Sequence, residues 1–364
     1  MTALIAAAGV MCAAPAAART PFVGPLHTVR DIASTVPANG DVNPYGTALI
    51  LRTQGELRAG NVLVSNFNNR KNQQGTGTTL VQVSPHGHVT QFARIAPGRL
   101  PGACPGGVGL TTALSILPGG WVVVGSLPTS DGTSATAKAG CLLVLDDHGT
   151  VRQTISGHGI NGPWDMTAHT RGDQTDLFVT NVLNGTVKAG TRGTHRGTVL
   201  RLTLCTRDHD VPPTLLSTTQ IGSRFEERTD VAALVIGPTG VGLGRDDTLY
   251  VADTPGNRIT AISNASTRTT DAGTGRVVTA KGALKGPLGL AVAPGDEILT
   301  VNSGDGNLVD TSARNGAQLA HRPLDISGSP AGAGALFGLA IDQRRNEVYF
   351  VDDAVNKLEV LQAP

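Results

Sequence analysis

Aromatic residues make up 3% of this 364-residue sequence and charged residues 16%. Globular chains are typically about one-quarter charged. So little charge argues against a helical protein, whose exposed faces are rich in Glu and Lys. So few aromatics leave Val, Leu, Ile and Ala to pack any core, and remove the stacking platform on which single-stranded nucleic acid lies. Neither charge sign is in excess: 29 Lys and Arg face 28 Asp and Glu, a net +1. Nothing electrostatic therefore draws nucleic acid or an anionic membrane. The four cysteines form no C-x-x-C, so no zinc site is expected. Beyond the first twenty residues no apolar run is long enough for a membrane span.

Glycine is abundant, at 47 residues. High glycine with low charge fits many short strands joined by tight turns. The chain opens on a small, apolar stretch, Thr2 to Ala18, ending in Ala16-Ala17-Ala18 before Arg19. That pattern predicts a signal peptide over 1–18, although no Lys or Arg precedes the apolar stretch. Residues 19–364 are then one exported domain, secreted or periplasmic and expected to be a monomer. Export permits a disulfide. Cys104 and Cys141 flank one repeat and are the expected pair, with Cys205 left free at the end of the alternating run Val199–Cys205. Spacing alone leaves the pairing open.

Two motifs recur together. The first is a Gly-rich turn running into an apolar stretch, as in Asn43-Pro44-Tyr45-Gly46, Gly162-Pro163-Trp164-Asp165, Gly286-Pro287-Leu288-Gly289 and Ala335-Leu336-Phe337-Gly338. The second is an apolar strand closing on a small polar residue, as in Leu177-Phe178-Val179-Thr180-Asn181 and Leu249-Tyr250-Val251-Ala252-Asp253. The closing residues fall at Asn66, Ser126, Asn181, Asp253, Asn302 and Asp352, spaced 60, 55, 72, 49 and 50 apart. A period near 50 with variable insertions marks a repeat array, and each unit has room for four short strands. Antiparallel units of this size predict an all-β, six-bladed β-propeller. The sixth unit stops one strand short after Lys357–Leu361, and the segment from Phe22 to Ser34 can supply the missing strand and close the ring.

The run Leu249-Tyr250-Val251-Ala252-Asp253-Thr254-Pro255-Gly256-Asn257-Arg258-Ile259 resembles the core of an NHL repeat. Asn43-Pro44-Tyr45-Gly46 resembles the blade opening of bacterial exported NHL-like propellers. The match covers one blade in detail and the others in outline. It implies six blades, in agreement with the count. Streptogramin lyases and gluconolactonase-type enzymes are wider relatives in architecture, but no motif assigns the chain to either.

In a propeller the six closing residues stand at similar height around the axis. A ring of Asn and Asp can hold Ca²⁺ or Mg²⁺ through oxygen ligands, or a polar ligand. Equally, Asn and Asp at a strand end cap the next turn by accepting from backbone N–H groups. With two carboxylates in six positions, capping is the expected role and no cofactor is predicted; Ca²⁺ or Mg²⁺ remains the ion to test. Asn68 and Asn69 belong to an amide-rich loop, Asn66 to Thr79, whose donors and acceptors suit sugars or peptide backbones. Trp164 and Asp165 can bring an aromatic ring and a carboxylate near the axis. Asp352 and Asp353, as strand neighbours, point to opposite faces, so one caps a turn while the other faces the channel. His158 and His169, flanking Trp164 and Asp165, are the histidine pair to test. No G-x-S-x-G and no Ser/His/Asp spacing is present.

A well-formed repeat without a convergent catalytic set predicts a ligand- or protein-binding module that uses one mouth of the propeller. Its partner would be a polar small molecule, a glycan or a protein. The alternative is a metal-assisted lyase or lactonase at the central channel, which rests on architecture alone.

Overall fold

The computed structural model describes residues 20–208 and 210–364. The signal peptide expected over 1–18 lies outside the described residues. Six antiparallel sheets surround an axis, as the repeat predicts. Their innermost strands are Val42–Leu49, Leu110–Ile116, Gly162–Arg171, Pro238–Leu243, Pro287–Ala293 and Leu336–Asp342.

The second strand of each blade is covered on both sides by neighbouring blades, so it reads as a continuous apolar run rather than an alternating one. Successive side chains still point to opposite faces. Val62 and Val64 join one apolar cluster while Leu63 joins another. Tyr250 and Ala252 separate from Leu249 and Val251 in the same way. Outer strands such as Gln318–Pro323 meet solvent and alternate in burial.

Closure follows the expected route. Thr28–Ser34 pairs antiparallel with Lys357–Gln362, from Thr28 opposite Gln362 to Ser34 opposite Lys357. Lys357 forms an ion pair with Asp31 across this seam. Ahead of the strand, Val23 and Leu26 are fully buried among residues of the fifth and sixth blades.

The third blade departs from the four-strand plan. Its fourth strand, Thr214–Asp230, runs for 17 residues and turns into a short fifth strand, Leu234–Ile236. The 72-residue spacing between Asn181 and Asp253 is this insertion. Cys104 and Cys141 are disulfide-bonded, with Cα atoms 5.3 Å apart, and Cys205 is a free thiol. Among the described residues no helix is long and apolar enough to cross a membrane.

Candidate functional site

Every innermost strand slips register against its neighbour at the same height. The slips fall between Pro44 and Thr47, Leu110 and Leu114, Pro163 and Met166, Pro238 and Val241, Pro287 and Leu290, and Leu336 and Leu339. Such bulges bend a strand and re-aim its side chains. Tyr45, Trp164, Leu288 and Phe337 occupy equivalent places in the slips, and all are buried in one cluster. Ring centroids of Tyr45 and Phe337 lie 3.9 Å apart, and Trp164 lies 6.4 Å from each. Apolar rings from three blades therefore stack together where the innermost strands begin.

The insertion of the third blade covers this stack. Leu234, Val235 and Ile236 are buried in the same cluster. Trp164 Nε1 donates to the carbonyl of Val235 at 3.0 Å, and the Tyr45 hydroxyl reaches the carbonyl of Ala232 at 3.4 Å. Asp230 caps the turn by accepting from the backbone N–H groups of Ala232 and Ala233. One mouth of the channel is thus covered by the chain itself.

The position after each of these residues explains Asp165. In four blades it is glycine: Gly46, Gly240, Gly289 and Gly338. A Cβ on Gly289 would overlap the carbonyl oxygen of Phe337 in the next blade. In the third blade the same position holds Asp165, whose carboxylate accepts from its neighbour Met166 N–H at 2.8 Å and from Val241 N–H of the fourth blade at 3.2 Å. Burial pushes this carboxyl up from 3.8 to about 8, against the pull of those two donors. Asp165 also borders an axial cavity of about 320 Å³ whose wall is mostly Ala, Val, Leu, Ile and Thr. It is the one ionisable side chain in that wall, and no histidine joins it. His158 sits exposed in a turn at positive φ, and His169 does not reach the cavity.

Among the strand-ending residues Asn181, Asp253 and Asp352 cap turns by accepting from backbone N–H groups, whereas Asn66 and Asn302 only donate and their buried amide oxygens accept no hydrogen bond. Asn181 accepts from the N–H groups of Asn161 and Gly162 and donates to the carbonyl of Gly159. Asn302 donates to the carbonyl of Ala283 and to Asp305. Asn66 donates to the carbonyl of Thr35. Asp253 accepts from Arg258 at 2.7 Å and from Gly256 N–H; burial pushes its carboxyl up against the pull of Arg258. Asp352 accepts from Ala354 N–H. None of these five borders the axial cavity.

Three of the buried polar groups without partners border one recess. It lies beside the inserted segment, between the first and sixth blades, has a volume of about 500 Å³ and is bordered by Asn43, Asn68, Arg70, Asn72, Gln74, Asp353 and Asn356. Asn43 and Asn68 are 6% and 1% exposed, and their amide oxygens accept no hydrogen bond; nor does that of Gln74. Their N–H groups are partly committed: Asn68 donates to Asn72 at 2.6 Å, and Gln74 to the carbonyls of Val231 and Ala232. Asp353 faces this recess and not the channel, a correction to the sequence reading. Burial, then the charges of Asp352 and Asp325, push its carboxyl up to about 8. Asn69 borders a separate shallow pocket with Asp41 and Arg94. The amide-rich loop was visible in the sequence, but its meeting with Asn43 and Asp353 was not.

The one cluster of three metal-ligating side chains among the described residues, Asp146, Asp147 and His148, is a hairpin turn. There Asp146 accepts from the backbone N–H groups of His148 and Thr150.

No protein-family model matches the chain, and no curated protein matches it in sequence. Solved structures do match in fold. A gluconolactonase from Xanthomonas campestris aligns with a TM-score of 0.55 at 15% identity, covering 90% of this chain and 88% of its own. Virginiamycin B lyase from Staphylococcus aureus aligns at 0.54 and 14% identity, covering 92% and 99%. Regucalcin from Agrobacterium tumefaciens, a calcium-binding protein, aligns at 0.54 and 13% identity, covering 91% and 94%. At these identities the likeness is one of fold, the six-bladed β-propeller.

Proposed function

We propose that this chain is an exported binding propeller of the NHL-like kind that takes a small polar molecule in the recess between its first and sixth blades. The observation that carries the reading is the set of buried amide oxygens of Asn43, Asn68 and Gln74, left without donors around one recess. A buried acceptor without a partner costs about 1–3 kcal/mol, and a ligand bearing N–H or O–H groups would recover that cost. The disulfide between Cys104 and Cys141 fits an oxidising compartment outside the cytoplasm.

The competing reading is a metal-assisted lactonase or lyase at the channel, which the fold shared with such enzymes makes possible. The donor set on the axis does not fit a hard divalent ion. Such ions take six or more oxygens, whereas the axial wall offers one carboxylate, already bonded to two backbone N–H groups. We therefore derive no step through a metal.

A thermal-shift panel of amino alcohols, polyols and monosaccharides tests the reading. Ligand binding raises the melting temperature once its concentration exceeds Kd. The expected result is a shift that survives Ala168→Leu, which narrows the axial cavity, and disappears in Asn68→Leu. The reverse pattern would place the ligand on the axis and overturn the proposal.

A further inference from the structure

We infer that the recess selects a ligand carrying a primary ammonium group, seated between Asp353 and the amide oxygens of Asn43, Asn68 and Gln74. This inference rests on the binding role proposed above and adds the chemical class.

The first argument is a count of donors and acceptors. The N–H groups of Asn68 and Gln74 already serve Asn72, Val231 and Ala232. The buried recess atoms left without a partner are all acceptors, the three amide oxygens, and among the described residues no donor meets the Asp353 carboxyl; Asn72, Asn356 and the exposed Arg70 also border the recess and carry N–H groups. An ammonium group has three N–H donors and no acceptor. A hydroxyl brings a single donor to those oxygens.

The second argument is charge. Asp353 is faced by Asp352 and Asp325, and it acts with Asp230 on the nearby Tyr45 phenol. Arg70, the one basic side chain bordering the recess, is exposed. Negative charge thus dominates around Asp353. Since burial and these neighbours push its carboxyl up to about 8, it holds a proton at neutral pH while the recess is empty. Entry of the ammonium ion turns the carboxylic acid into a carboxylate paired with it, and the proton leaves to solvent. No electron changes hands, and charge balances. The third argument is size. A volume of about 500 Å³ is far larger than one ion needs, since a water molecule takes about 30 Å³. The recess has room for an organic cation.

Calorimetry of the full chain at pH 7 tests this, with ethanolamine, ethylene glycol and Ca²⁺ as probes. Each is titrated in phosphate and in MOPS, two buffers of different ionisation enthalpy that lack primary amines. Ethanolamine should bind with release of up to about one proton, read as a buffer-dependent heat. Ethylene glycol should bind roughly tenfold to a hundredfold more weakly and release none. Asp353→Asn, with its fold confirmed by an unchanged melting profile, should lose the proton release and a similar factor in affinity. Asp165→Asn, which removes the axial carboxyl, should keep both. Equal binding of ethylene glycol without proton release would overturn the ammonium assignment and leave the binding role standing. Binding of Ca²⁺ alone, with proton release, would overturn it in favour of a metal. Failure of all three probes would overturn both.

Discussion

The carboxyl group of Asp165 accepts the backbone N–H of Val241 at 3.2 Å, joining the third blade to the fourth at a height where four other blades meet through glycine. The bond gives a buried acid a structural role and a pH signature. In the folded chain its pKa is about 8, against 3.8 as ordinary. Between those values the unfolded chain has lost this proton and the folded chain keeps it. Stability contributed by the group is therefore full below about pH 4 and drains away as pH rises toward 8. Urea denaturation of wild type and Asp165→Asn should show the wild type losing ground, by at most about 1.4 kcal/mol per pH unit across that window. A pH-independent difference would contradict the buried, protonated state.

The bond from Trp164 to the carbonyl of Val235 pins the inserted segment over the axis. Trp164→Ala removes that bond and a 3% exposed ring, and should cost about 3–5 kcal/mol. Trp164→Phe should cost less. In both, limited proteolysis should cut faster around Val231, which is 94% exposed at the tip of the segment. Unchanged cleavage would mean that the segment is held by its apolar contacts alone.

Closure of the ring rests on Thr28–Ser34. A chain beginning at residue 36 loses this strand along with the buried Val23 and Leu26, leaving Lys357–Gln362 as an open edge. Open edges invite pairing with other chains. The shortened chain should melt at lower temperature and aggregate, and a peptide spanning residues 20–35 should restore part of the melting temperature.

The disulfide between Cys104 and Cys141 closes a loop across 37 residues. Loop-closure entropy assigns it about 3–4 kcal/mol. Replacing both cysteines by Ser should lower the urea midpoint accordingly, whereas Cys205→Ser should leave it almost unchanged.

What the sequence could show follows from distance along the chain. Blade count, strand order and the closing strand were legible because each blade repeats a local pattern within about 50 residues. The capping role of Asn181 and Asp253 was legible for the same reason: their partners lie close in sequence. The plug was not, because Tyr45, Trp164 and Phe337 come from three blades, and the segment covering them showed only as an overlong spacing. The recess was not legible either. It draws Asn43 from one strand, Asn68 and Gln74 from a loop, and Asp353 from the far end of the chain. Their unmet hydrogen bonds exist only once the blades are assembled.

The central claim is that the ligand site lies off the axis. A crystal structure of the protein soaked with ethanolamine tests it most directly. The account predicts density in the recess, within hydrogen-bond reach of Asp353 and at least one of Asn43, Asn68 and Gln74. Density beside Asp165 in the axial cavity, with the recess empty, would contradict it.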